Sequence, residues 1–241
     1  MKTAIGSLKI IFRNKKDSSI IIMLDFLLLV SIWAVSKFFE LLTESMNPQL
    51  SYLSIFLLFF LTTLIYIILL IFAYSFIKLK ILGFINSITS KLKVQSEKNI
   101  MGFFLMNTAL FAVVSVVYLI IGYIVLNTKE KYQNPVSIML FFVFAAFFYI
   151  FINVSHSLFY KTDSIKKSVG ASIGYFKNKK VFYIVMQSIL ILFILYIPYY
   201  FAYLHTYGMT QKIVIIVFLL LIYFVLFINR ISFYIISEEK S

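Results

Sequence analysis

Ionisable and amide side chains inside long apolar runs are the residues here that could do chemistry. Asp25 sits in the first such run, Asn107 holds the corresponding place 82 residues on, and Gln187-Ser188 lies in a later one. Asn153, Ser155 and His156 share another run, and Asn229-Arg230 a last one. A charged or strongly hydrogen-bonding group in hydrocarbon is costly, so its first reading is a substrate, ion or proton site. All of these groups fall in the same third of their segments and could line one polar cavity. The competing reading is structural: Asp25 pairs with Arg230 between helices and His156 is an interfacial histidine, because interhelical polar contacts are common and individually modest. The structural reading asks less of the sequence and is preferred.

HExxH and glycine-rich phosphate loops do not occur in the 241 residues. Gly170-Ala171-Ser172-Ile173-Gly174 fits GxSxG in its letters, but it follows a basic stretch and not the apolar strand that a nucleophile elbow needs. With no cysteine there is neither thiol catalysis nor a thiolate metal site. His156 and His205 fall near opposite ends of their segments and cannot share a metal. The carboxylates on the basic side (Asp17, Asp25, Glu97, Asp163, Glu238, Glu239) are scattered along the chain. The expectation is therefore no catalytic residue, no metal and no cofactor.

The elements that must position these groups are transmembrane helices. Hydrophobic residues make up 62% of the chain and charged ones 13%, about half of what a soluble domain carries. Six apolar segments, Ser19–Phe39, Tyr52–Ile77, Phe103–Leu126, Val136–Tyr160, Val181–Tyr203 and Ile213–Ile236, are each long enough to cross a bilayer. Backbone groups in lipid must bond within their own segment, so these runs read as helices. The expected fold class is all-α, a polytopic bundle of six helices in one membrane domain.

Of the 22 Lys and Arg, 18 fall in the N-terminal stretch, in 78–102 and 161–180, and at Arg230 and Lys240. Only Lys37, Lys129, Lys131 and Lys212 lie on the other side. The positive-inside rule then puts both termini in the cytosol, in a cytoplasmic-membrane protein. The basic region before the first segment runs to Lys16, and that segment is expected to stay as an anchor. The +13 formal charge marks a membrane-facing surface, with no nucleic acid expected as a partner. Lys37 and Glu40, one turn apart at the outer end of the first helix, are expected to pair. Asn47-Pro48 and Asn134-Pro135 read as helix starts, and the sixth helix is expected to begin near Thr210. Pro198 should kink the fifth. Tyr196, Tyr199, Tyr200, Tyr203 and Tyr207 form an aromatic belt.

The segment Phe12-Arg13-Asn14-Lys15-Lys16 recurs as Phe176-Lys177-Asn178-Lys179-Lys180, and Lys16, Lys98 and Lys180 are spaced by 82 residues. This divides the chain into three hairpin repeats, roughly 4–77, 84–160 and 168–236, each opened by an amphipathic segment. Ile5, Leu8 and Phe12 oppose Ser7, Lys9 and Arg13 in the first. Phe84, Ile88 and Leu92 oppose Asn86, Ser87, Lys91 and Lys93 in the second. Val169, Ile173 and Phe176 mark the third. Such helices lie in the membrane interface, with cations toward anionic head groups. Arg13, Lys15, Lys16, Lys91, Lys93, Lys98, Lys177, Lys179 and Lys180 are the candidate head-group contacts.

A basic Phe-[Arg/Lys]-Asn-Lys segment before a hairpin resembles the uncharacterised six-helix membrane proteins of archaea and low-GC bacteria. These are similar to the membrane domain attached to some glycerophosphodiester phosphodiesterases. The resemblance implies a fold and not an activity, since the phosphodiesterase chemistry of those proteins sits in a separate soluble domain. Their pattern has proline after the asparagine, where this chain has Lys15 and Lys179. The functional expectation is a non-enzymatic membrane module whose basic face contacts anionic lipid or a protein partner. The alternative is a small transporter with its site at the level of Asp25, Asn107, His156 and Arg230.

Overall fold

The computed structural model describes residues 2–44, 52–90 and 99–238, and these form eight helices. They are α1 (Lys2–Arg13), α2 (Lys15–Glu44), α3 (Tyr52–Ser90), α4 (Ile100–Leu126), α5 (Glu130–Thr162), α6 (Ile165–Tyr175), α7 (Lys179–Leu204) and α8 (Gly208–Glu238). The six longest, all but α1 and α6, are long and apolar enough to cross a membrane. Their surfaces are densely apolar, with exposed Phe, Leu and Ile along most of their length. Hydroxyls inside the spans bond back to their own helix, as in Ser31 to the Leu27 carbonyl, Thr62 to Leu58 and Thr108 to Phe104. That internal bond makes an isolated serine or threonine tolerable in lipid.

The helix bounds move one expected start and keep another. α5 begins at Glu130, so Asn134 is no cap and Pro135 lies inside the helix. α8 begins at Gly208, two residues before the expected Thr210. Gly208 adopts φ +61, a left-handed conformation that costs glycine nothing. α7 runs on through Pro198. Asn47-Pro48 lies outside the described residues.

The chain divides into two compact units. One comprises residues 15–120 with 163–165, the other residues 1–14, 121–162 and 166–241. In the first, α2 and α3 pack along one another. Ser36 bonds the Tyr66 hydroxyl at 3.0 Å and Phe39 lies on the Tyr66 ring at 4.6 Å. At the opposite end Ser87 donates to Asp17 at 3.5 Å. α3 has 39 residues, about 58 Å at the usual rise, well beyond a hydrocarbon core of roughly 30 Å.

The excess length of α3 corrects the second amphipathic segment. Residues 84–90 are the last turns of α3 and not a separate interfacial helix. Ile81, Leu82, Ile85 and Ile88 are buried there. This stripe recurs at helical spacing and turns into protein, so Ile88, read as lipid-facing, is core, while Phe84 is half-buried. Leu92, Lys91, Lys93 and Lys98 lie outside the described residues.

In the second unit α8 packs against α1, α5 and α7. A core of Val154, Leu158, Tyr175, Val181, Ile184, Phe233 and Ile236 joins α5, α6, α7 and α8 near the basic end. Toward the other end, the Tyr199 ring stacks on Phe218 at 4.0 Å and meets Tyr203 at 5.9 Å, while Tyr196 touches Tyr200. Tyr196 and Tyr199 of the belt thus tie α7 to α8 through Phe218.

Candidate functional site: a polar layer and a basic rim

Within each unit, intramembrane polar residues meet across helices. In the first unit, buried Asn107 of α4 donates to Ser75 of α3 at 2.9 Å, while Ser75 itself donates to the Ile71 carbonyl. Asp25 of α2 is also buried there, 7% exposed. In the second unit Ser188 of α7 donates to the Asn229 side-chain oxygen of α8 at 2.9 Å. Tyr149 of α5 lies near Asn229 and Arg230, and its buried hydroxyl makes no hydrogen bond among the described residues. Asn153 spends its amide on the Tyr149 carbonyl at 2.8 Å. Gln187 is half-buried. Asp25 falls in the first unit and Arg230 in the second.

His156 is fully buried against protein within α5. Its neighbour in sequence, Ser155, donates to Ser172 of α6 at 3.0 Å. Among the described residues no three His, Asp or Glu side chains gather to hold a metal. Lys37 and Glu40 pair at the far end of α2, as their spacing predicts.

The basic end of the second unit carries a hydroxyl seam that composition does not announce. Ser7 of α1 and Ser232 of α8 share a hydrogen bond at 2.8 Å. Ser168 of α6 meets Thr162 of α5 at 3.1 Å. Lys161 donates to Ser237 at 2.7 Å and to the Tyr234 carbonyl at 3.3 Å, with its ammonium 4.6 Å from the Tyr234 ring. Tyr175 reaches the Ser237 carbonyl at 3.4 Å, and burial pushes its phenol above the ordinary range. Lys161 is legible in the sequence only as a topology charge, and these serines only as small residues. Tyr149 has a weak signal, lying one helical turn before Asn153.

The seam decides which faces of α1 and α6 look outward. Ser7 and Ile11 of α1 are buried, while Phe12 is 63% exposed beside exposed Lys9 and Arg13. On α6, Ser168, Ser172 and Tyr175 are buried, while Ile173 is 61% exposed and Lys166 and Lys167 are exposed. Ser7, expected on the water face, is therefore a protein contact. Both helices seat on small polar residues and leave apolar and cationic side chains together on the open side. Lys15, Lys16, Lys177, Lys179 and Lys180 are exposed as well.

α2 and α7 begin at equivalent points of the repeated segment, Lys15 after Asn14 and Lys179 after Asn178. The asparagines act differently. Asn178 caps α7 by accepting from the Lys180 N–H at 3.0 Å, whereas Asn14 donates back to the Ile10 carbonyl. Comparison with protein-family profiles, with curated proteins and with solved structures finds no match to this chain.

Proposed function

We propose that this multi-pass membrane protein is a non-enzymatic module whose basic face, turned to the cytosol with both termini, engages anionic lipid. The observation that carries the reading is the outward pairing of apolar and cationic residues on α1 and α6. Phe12 with Lys9 and Arg13, and Ile173 with Lys166 and Lys167, form what an interfacial helix needs: rings and branched chains for the acyl boundary, cations for phosphates. The transport alternative draws less support. Asn107, Asn229 and Ser188 have polar partners on neighbouring helices, which is how interhelical contacts hold a bundle. The resemblance to six-helix membrane domains enters here as a proposal of fold alone.

The test uses the single tryptophan, Trp33. In a Trp33→Phe background, Phe12→Trp places the only indole on the open face of α1. In nanodiscs its fluorescence is expected to be quenched more by brominated phosphatidylglycerol than by equally brominated phosphatidylcholine, and the difference should shrink with salt. Equal quenching by both lipids at low salt would end the anionic-lipid reading.

A further inference from the structure

We infer that the junction of α6 and α7 is a binding site for one anionic phospholipid, with its phosphate held between Lys177 and Lys179. The inference rests on the lipid-contact reading above and gives it a specific place. The junction forms an open cleft of about 380 Å³ lined by Phe176, Lys177, Asn178, Lys179, Phe182 and Tyr183. Its chemistry is split into two zones. Lys177 and Lys179 are exposed cations on the rim, and the Asn178 side chain, whose oxygen is used on the Lys180 N–H, adds an amide NH2. Below them Phe182 and Tyr183, 59% and 64% exposed, open onto the membrane at the first turn of a span. A soluble phosphate has no use for the aromatic wall. A phospholipid uses both zones, with phosphate at the rim and glycerol and acyl carbons along the rings.

The cleft is preformed, which lowers the ordering cost of binding. Phe176 stacks on Phe147 of α5 with ring centroids 4.5 Å apart and planes 6° from parallel. The turn is closed by the Asn178 N–H on the Tyr175 carbonyl at 2.9 Å, and the Val181 N–H returns to the Asn178 carbonyl at 3.0 Å. The backbone carrying both lysines is therefore held from the α6 and the α7 side.

The experiment is native mass spectrometry of the full chain in detergent, titrated with phosphatidylglycerol or phosphatidylcholine. The wild type should bind phosphatidylglycerol more tightly. Lys177→Gln/Lys179→Gln should weaken that binding about 30-fold, from roughly fivefold per interfacial cation, and leave phosphatidylcholine unchanged. Lys177→Arg/Lys179→Arg should retain binding, which separates charge from misfolding, and so should Lys166→Gln/Lys167→Gln on the open face of α6. An equal loss in the 166/167 variant would overturn the cleft while leaving the basic-face reading standing. No preference between the two lipids in the wild type would overturn both. Displacement of the lipid by millimolar inorganic phosphate would make a free anion the occupant and also refute the inference.

Discussion

Replacing Lys161 by methionine keeps the apolar stem and removes the charge that ties α5 to the end of α8. The ammonium makes a 2.7 Å bond to the Ser237 hydroxyl, a longer 3.3 Å bond to the Tyr234 carbonyl and a 4.6 Å contact with the Tyr234 ring. Hydrogen bonds to charged groups contribute about 1.5–3 kcal/mol when buried, and Lys161 is half-buried, so the lower end applies. The ring contact adds about 0.5–1 kcal/mol. The expected loss is therefore about 2 kcal/mol. Ser237→Ala removes one of the three contacts and should cost about 1 kcal/mol. Unfolding by SDS in mixed micelles gives the two single values and the double, and the coupling energy from that cycle should be about 0.5–1 kcal/mol. Additive single effects would mean that Lys161 and Ser237 do not act together, and would refute the tie between α5 and α8.

Four further outcomes follow from the same structure. Ile85→Ala, in the buried end of α3, should cost about 2–4 kcal/mol, while Ile173→Ala on open α6 should stay within about 0.5 kcal/mol in the same unfolding assay; the reverse order would restore residues 84–90 as an interfacial helix. Asn229→Ala should destabilise by about 1–2 kcal/mol and Ser188→Ala by less than about 1, because Asn229 serves both Ser188 and the neighbourhood of Tyr149. The phenol of Tyr175 is raised above its usual value near 10, so the folded state holds that proton more tightly than the unfolded one; its contribution is complete below pH of about 10 and is lost as pH rises through the raised pKa, and Tyr175→Phe should remove this part of the alkaline decline in melting temperature. Reporter fusions at Thr128 and Tyr207 should read outside and those at Ser90 and Ser168 inside, and a single inversion would break the six-span, cytosolic-termini topology.

Hydropathy alone located all six long helices, because a bilayer imposes a length and an apolar composition that no local detail can override. The spacing of Lys37 and Glu40 likewise sufficed for their pair, since neighbours on one helix need no tertiary information. Amphipathic patterns were a weaker guide. Phe84 and Ile88 look as interfacial in the sequence as Phe12 does, yet Ile88 is core and Phe12 is open. In a membrane protein an apolar face can turn to lipid or to another helix at similar cost, so periodicity identifies a face but not its partner. The direction in which α1 and α6 turn was decided by Ser7 on Ser232 and Ser172 on Ser155, bonds between different helices. The same holds for the polar layer. The sequence placed Asn107, Asn229 and Ser188 at one depth, but only tertiary packing could join Asn229 to Ser188 and Asn107 to Ser75, because a buried amide takes whichever acceptor or donor the neighbouring helix brings within 3 Å.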